Sequence, residues 1–148
     1  MIGLLTSPLK EDPAVKASLD KALQYLLTTL PTLKRGDTRT VLGVWGHAYG
    51  LSALSRAARN LPADAPLREE LKKVASLQVK ALDQMADVQG GWGYYTFETF
   101  SKRPIGEPTS FLTATVLLAY KDAEQAFGLK AEPRVVKRAV ACLEKLRT

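Results

Sequence analysis

The sequence predicts an all-α chain of about five helices, and three observations carry that prediction. Apolar residues recur at helical spacing in five successive segments. Proline, glycine and capping residues fall between those segments. The segments also alternate in kind, between amphipathic stretches and stretches that lack charge almost entirely.

The first helix is expected from about Pro13 to Leu30. Val15, Leu19, Ala22, Leu23, Leu26, Leu27 and Leu30 share one face, Asp12 before Pro13 is a good N-cap, and Pro31 marks the end. Residues 34–39 are polar and read as a loop.

The second helix, about Thr40 to Arg59, has no Lys, Arg, Asp or Glu between Val41 and Ser55, so burial on most sides is expected. Gly43, Gly46, Gly50, Ala53 and Ala57 form a small-residue stripe. Each glycine costs about 1 kcal/mol of helix propensity, so the stripe is expected to serve close helix packing.

The third helix, about Leu67 to Val88, places Leu71, Val74, Leu82 and Met85 on a core stripe, with Arg68, Lys72, Lys73 and Lys80 toward solvent. Gly90-Gly91-Trp92-Gly93 is expected to stop it sharply. Residues 94–108 read as a loop anchored by Tyr94, Tyr95, Phe97 and Phe100, with a short strand or hairpin at Tyr95 to Glu98.

The fourth helix, about Thr109 to Phe127, again has a charge-free part, from Phe111 to Tyr120. The fifth begins at Pro133 and is amphipathic through Val135, Val136, Ala139, Val140, Leu143 and Leu146. The simplest arrangement of the two kinds of helix is two layers, with helices two and four inside.

The chain has 148 residues, the size of one domain, and a hydrophobic share of 46%, enough for a core. The net charge is +6, but the basic residues are spread out, and the densest group (Arg134, Lys137, Arg138, Lys145, Arg147) reads as a solvated helix face. Aromatics are not interleaved with it, so no nucleic-acid partner is expected. One cysteine, Cys142, excludes an internal disulfide and a cysteine zinc cluster. The first eight residues lack a signal peptide's basic and apolar regions, and no run of 18 apolar residues predicts a membrane span. A soluble chain is expected, with no compartment assigned.

The amphipathic helices align with one another. Ala22-Leu23 and Leu26 match Ala81-Leu82 and Met85 at an offset of 59, and these match Ala139-Val140 and Leu143 at 58. Repeats of about 13–59 and 67–127 and a half repeat at 133–148 follow, within a single domain.

Gly90-Gly91-Trp92-Gly93-Tyr94, followed by Pro108-Thr109-Ser110 and Thr113-Ala114-x-x-Leu117-Leu118-Ala119-Tyr120, resembles the repeat of squalene cyclases and protein prenyltransferase β-subunits. The resemblance is clear in residues 67–127. In the first repeat Gly36-Asp37 stands where the glycine turn would be, without a tryptophan. The resemblance implies part of an α/α toroid of antiparallel helix pairs, with the glycine turn leading from an outer helix to an inner one. An arc of this kind would expose inner-helix surface, so self-association or contact with the rest of a longer chain is expected.

The family's chemistry is not matched. No Asp-x-Asp-Asp acid motif or aspartate-rich metal motif is present, Val140 stands where a zinc-binding aspartate would precede Cys142, and Leu143-Glu144 follow it instead of a thioester motif. Asp83, Asp87, Asp122 and Glu124 read as solvated helix faces. No catalytic residue, metal or cofactor is assigned. The resemblance then implies an incomplete, non-catalytic repeat domain for binding or assembly. The alternative is a fragment of a terpenoid-cyclase-type enzyme whose catalytic motif lies elsewhere.

Candidate cavity-lining residues are Trp45, Tyr49, Trp92, Tyr94 and Tyr120. Trp45, Tyr49, Ser52 and Arg56 share one face at i, i+4, i+7 and i+11; this face or that of Thr113 and Tyr120 would line a toroid cavity, where an aromatic wall suits an apolar ligand or a peptide, and packing is the favoured reading. For Trp92 packing between helix ends is the favoured reading, within the structural motif Gly90, Gly91, Trp92 and Gly93. Gln78 interrupts an apolar stripe and is expected to bond backbone of a neighbouring turn. His47, the single histidine, is expected to be a satisfied core residue.

Overall fold

The structure, a computed structural model, describes residues 2–5, 8–9, 11–33, 43–93 and 107–147. These residues form helices and turns. A four-residue α1 (Ile2–Leu5) precedes α2 (Pro13–Thr29), which tightens into a 3-10 turn at Leu30–Thr32. Then follow α3 (Gly43–Arg59), α4 (Pro66–Met85), α5 (Ser110–Phe127) and α6 (Pro133–Lys145). The fold is all-α. The glycine turn at Gly36, the start of the second helix at 40–42, and Tyr94 to Phe100 with their expected hairpin lie outside the described residues.

Local chemistry sets the helix ends. The Asp12 carboxylate accepts from Ala14 N–H at 2.8 Å and Val15 N–H at 3.4 Å, satisfying two orphan donors of α2. Pro13, Pro66 and Pro133 occupy first-turn positions, where no amide hydrogen is needed. Gly128 closes α5 in the left-handed region at φ 69°, its N–H on the Glu124 carbonyl.

Cross-helix bonds give the directions. Trp45 stacks on Phe111, Arg56 bonds Asp122 and Arg59 bonds Gln125, each pair 66 residues apart, so α3 and α5 run parallel and in register. Helix α4 runs antiparallel to both. Its first turn lies at their C-terminal ends through Arg68, and Gln78 lies beside His47 in the first half of α3. The core between them is filled by Leu51, Leu54, Leu71, Leu82, Leu112 and Val116, all essentially inaccessible to solvent.

Several sequence expectations change once packing is seen. Helix α3 is not buried all round: Gly46 and Tyr49 are exposed and Trp45 is half-buried, because α4 and α5 cover two of its sides while α1, α2 and the Leu30–Thr32 turn touch it over a smaller part. On α5, Phe111 and Leu118 are exposed for the same reason. Gly50 does serve close packing, since a Cβ there would stand 2.5 Å from Leu30 Cδ2. Val140 and Leu146, assigned to the apolar face of α6, are exposed, whereas Val135, Ala139 and Cys142 are buried. Neighbours cover only that flank of α6.

Helix α4 ends at Met85, before the glycines. Residues Ala86 to Gly93 instead form a turn seated against α6 and α5. Gly90 has φ 101°, and a Cβ there would meet the Arg138 carbonyl oxygen at 2.5 Å. Gly91 has φ 79° and lies against Thr113, Pro108 and Cys142. Gly93 leaves room for the Glu107 carbonyl and bridges Pro108. The glycines therefore shape a contact, beyond stopping a helix.

Candidate functional site

The residues that join the elements are buried and polar. Gln78 Nε2 donates to the Leu30 carbonyl at 3.2 Å and the Val74 carbonyl at 3.4 Å. Its Oε1 must then accept, so His47 donates from Nδ1 across 2.6 Å. That assigns the neutral Nδ1–H tautomer and leaves Nε2 as a buried acceptor with no hydrogen-bond partner among the described residues. Burial holds the His47 pKa below the usual histidine value, and the Gln78 bond opposes that shift. The expectation of a satisfied core histidine is thus met at one nitrogen only.

Trp92 is fully buried. Its indole N–H donates to the Leu82 carbonyl at 2.9 Å, its backbone N–H donates to Thr113 Oγ1 at 3.1 Å, and its ring meets Tyr120 edge-on at 5.8 Å. Tyr120 in turn donates to Asp83 at 2.8 Å, and Asp83 also accepts the Glu132 N–H at 3.2 Å. Trp92 and Tyr120 therefore sit in the core that joins α4, α5 and α6.

Four charged residues read as solvated are structural instead, Asp122 among them, since it is half-buried and paired with Arg56 and Arg59. Asp83 is half-buried, and burial pushes its carboxyl above the usual range while the Tyr120 and Glu132 bonds oppose that. Asp87 is buried, and its carboxylate accepts the Gln89 N–H at 2.7 Å, shaping the glycine turn. Arg68 reaches the carbonyls of Ala58 at 2.5 Å and Ala126 at 2.6 Å, closing the C-terminal ends of α3 and α5 with one guanidinium. Burial raises the Cys142 thiol pKa, with Asp87 adding to the effect, so a reactive thiolate is disfavoured.

Trp45 and Tyr49 stand elsewhere, on the open side of the α3–α5 pair. The α3 residues Trp45, Tyr49, Ser52 and Arg56 lie opposite Phe111, Thr115, Leu118 and Asp122 of α5 at the same 66-residue offset. Trp45 stacks on Tyr49 with centroids 5.3 Å apart and planes 13° apart, and on Phe111 at 5.8 Å and 21°. Tyr49 is 53% exposed, Phe111 51% and Leu118 63%. At the far end Arg56 and Arg59 share the half-buried Asp122 at 3.3 and 3.1 Å. Beside this face a groove of about 620 Å³ between α2 and α3 is lined by residues including Tyr25, Leu26, Leu30, Leu33 and Tyr49, none of the described lining residues being charged.

The sequence reading found the α3 half of this face, but on α5 it offered Thr113 and Tyr120, which are buried, and missed Phe111 and Leu118. The signal was available: both charge-free helices carry residues at i, i+4, i+7 and i+11, and aligning them at an offset of 66 pairs Trp45 with Phe111 and Arg56 with Asp122. The exposed rings and leucine lie together without intervening charge, which suits an apolar contact. No protein-family model, no curated protein and no solved structure matches this chain.

Proposed function

We propose that this chain is a binding or assembly module built from helix-pair repeats of the squalene-cyclase and prenyltransferase kind, and that the α3–α5 face is its docking surface. The observation that carries the reading is the row of exposed Tyr49, Phe111 and Leu118, with half-buried Trp45 stacked on both rings, on two parallel helices. Scattered exposed apolar residues are ordinary, but stacked exposed aromatics in one contiguous patch mark interaction sites. The toroid part of the reading is supported by α3 and α5 lying parallel side by side with α4 antiparallel to both. Among the described residues, no helix is long and apolar enough to cross a membrane.

The test is binding of an apolar fluorescent probe such as an anilinonaphthalene sulfonate. Leu118→Glu places a charge in the middle of the face at an exposed position, so folding measured by circular dichroism should be unchanged. Probe fluorescence should fall at least several-fold. Undiminished fluorescence with the variant would place the apolar binding surface elsewhere and overturn the reading.

A second reading is that the same aromatic row forms part of a ligand cavity wall in a terpenoid-cyclase-type enzyme. The stacking of Trp45 between Tyr49 and Phe111 favours it. An open reading frame extending beyond these residues and encoding an aspartate-rich motif would support it, and a frame without one would count against it.

A further inference from the structure

The two ends of the α3–α5 face differ in chemistry. One end presents the exposed rings of Tyr49 and Phe111 with Trp45 stacked between them. The other presents Arg56 and Arg59, their side chains 41% and 38% exposed, against the single carboxylate of Asp122. Two guanidiniums on one carboxylate leave that end with one net positive charge. Between the ends lie Ser52, Thr115 and Leu118, and neither Gly43–Ser55 nor Ser110–Tyr120 contains a charged residue.

A guanidinium is attracted to the face of an aromatic ring. Trp45 and Arg56 are eleven residues apart on one helix, about 16 Å along its axis. Turning a second copy by 180° about an axis through the middle of the face lays its cations over the first copy's rings. The same operation lays its rings over the first copy's cations. A face with complementary ends is therefore complementary to itself under a two-fold axis, the condition for an isologous dimer. The alternative parallel juxtaposition sets cations against cations and is disfavoured. The uncharged middle adds no ion to be desolvated on docking.

We infer that the α3–α5 face docks a second copy of this chain, antiparallel and two-fold, with Arg56 and Arg59 of each copy on the aromatic row of the other. This rests on reading the face as a docking surface. The face measures roughly 20 Å by 20 Å, two helix widths across and four turns long. About 400 Å² per copy is half of a standard interface, so a reversible dimer in the micromolar range or weaker is expected.

Sedimentation equilibrium and light scattering of the full chain, from about 1 to about 500 µM, measure it. Wild type should shift from monomer to dimer across the series. Arg56→Ala and Trp45→Ala should each weaken the dimer about tenfold, and Tyr49→Ala serves in place of Trp45→Ala if that variant misfolds.

Mixing supplies the sharper test. Each variant alone loses both cation–aromatic contacts. One Arg56→Ala chain paired with one Trp45→Ala chain keeps one contact intact, so the equimolar mixture should associate more tightly than either variant by itself. A mixture no tighter than its components would overturn the antiparallel geometry.

A wild type that stays monomeric throughout would overturn the second copy as occupant. If the Leu118→Glu loss of probe binding is nevertheless seen, the docking reading survives with another partner. If neither is seen, both fall.

Discussion

Removal of the Arg68 guanidinium tests how the open face is held in register. Arg68 donates to the carbonyls of Ala58 and Ala126, the ends of α3 and α5, and both alanines are buried. Each bond is charge-assisted, and such bonds contribute about 1.5–3 kcal/mol, the lower end applying at Ala58, whose carbonyl also accepts from Leu61 N–H at 3.2 Å. The cation also sits at two helix C-termini, where the macrodipoles favour it by a few tenths of a kcal/mol or more each. Arg68 is half-buried, so water replaces part of what is lost. Arg68→Ala should therefore destabilise the fold by about 3 kcal/mol, a large share of the ~5–15 kcal/mol typical of a domain. Urea titration followed by far-UV circular dichroism should show the midpoint fall with the slope unchanged. The melting temperature should drop by roughly 6–12 °C. Arg68→Lys should recover less than half of the loss, because an ammonium keeps the charge but cannot span two carbonyls as a planar fork does. A loss under about 1 kcal/mol, or full rescue by lysine, would refute the two-carbonyl clamp.

Three other perturbations have clear expectations. Trp92→Phe keeps an aromatic ring against Tyr120 but strands the buried Leu82 carbonyl, so a loss of about 1–3 kcal/mol is expected by urea titration. Gly90→Ala should cost more than about 2 kcal/mol, since it combines φ 101° with a Cβ against the Arg138 backbone, whereas Gly128→Ala, at φ 69° with open space around it, should cost about 1 kcal/mol; equal costs would deny the glycine turn its role in seating α6. The His47 pKa lies below 6.5 in the fold, so above pH ~6.5 both folded and unfolded chains hold it neutral and it has no effect. Below ~6.5 the unfolded chain takes up the proton first, and stability should fall with pH by up to ~1.4 kcal/mol per unit until the folded pKa is reached. His47→Phe should remove that slope just below about pH 6.5, and an unchanged slope would assign it to other groups.

Helix identity, order and approximate ends were legible in the chain because they depend on neighbours in sequence. Apolar spacing set the covered faces of α2 and α4, Asp12 and Pro13 marked a start, and Pro31 marked a stop. Gln78 stood out as an amide in an apolar stripe, and its bond to the Leu30 backbone follows from the need to satisfy a buried polar group. The i, i+4, i+7, i+11 row from Trp45 to Arg56 was likewise visible, since a single helix places those residues together.

Tertiary structure alone decided which sides of the helices are covered. Absence of charge between Val41 and Ser55 permits burial without requiring it, so Tyr49 and Leu118 remain exposed although α3 packs against α4 and α5. Long polar side chains carried the same ambiguity. Arg68 and Asp83 carry the charge of solvated residues, yet one closes two helix ends and the other joins three helices, because their flexible stems reach acceptors and donors on elements distant in sequence. Periodicity reports the face on which a residue lies, whereas burial and pairing depend on what the rest of the chain brings to that face.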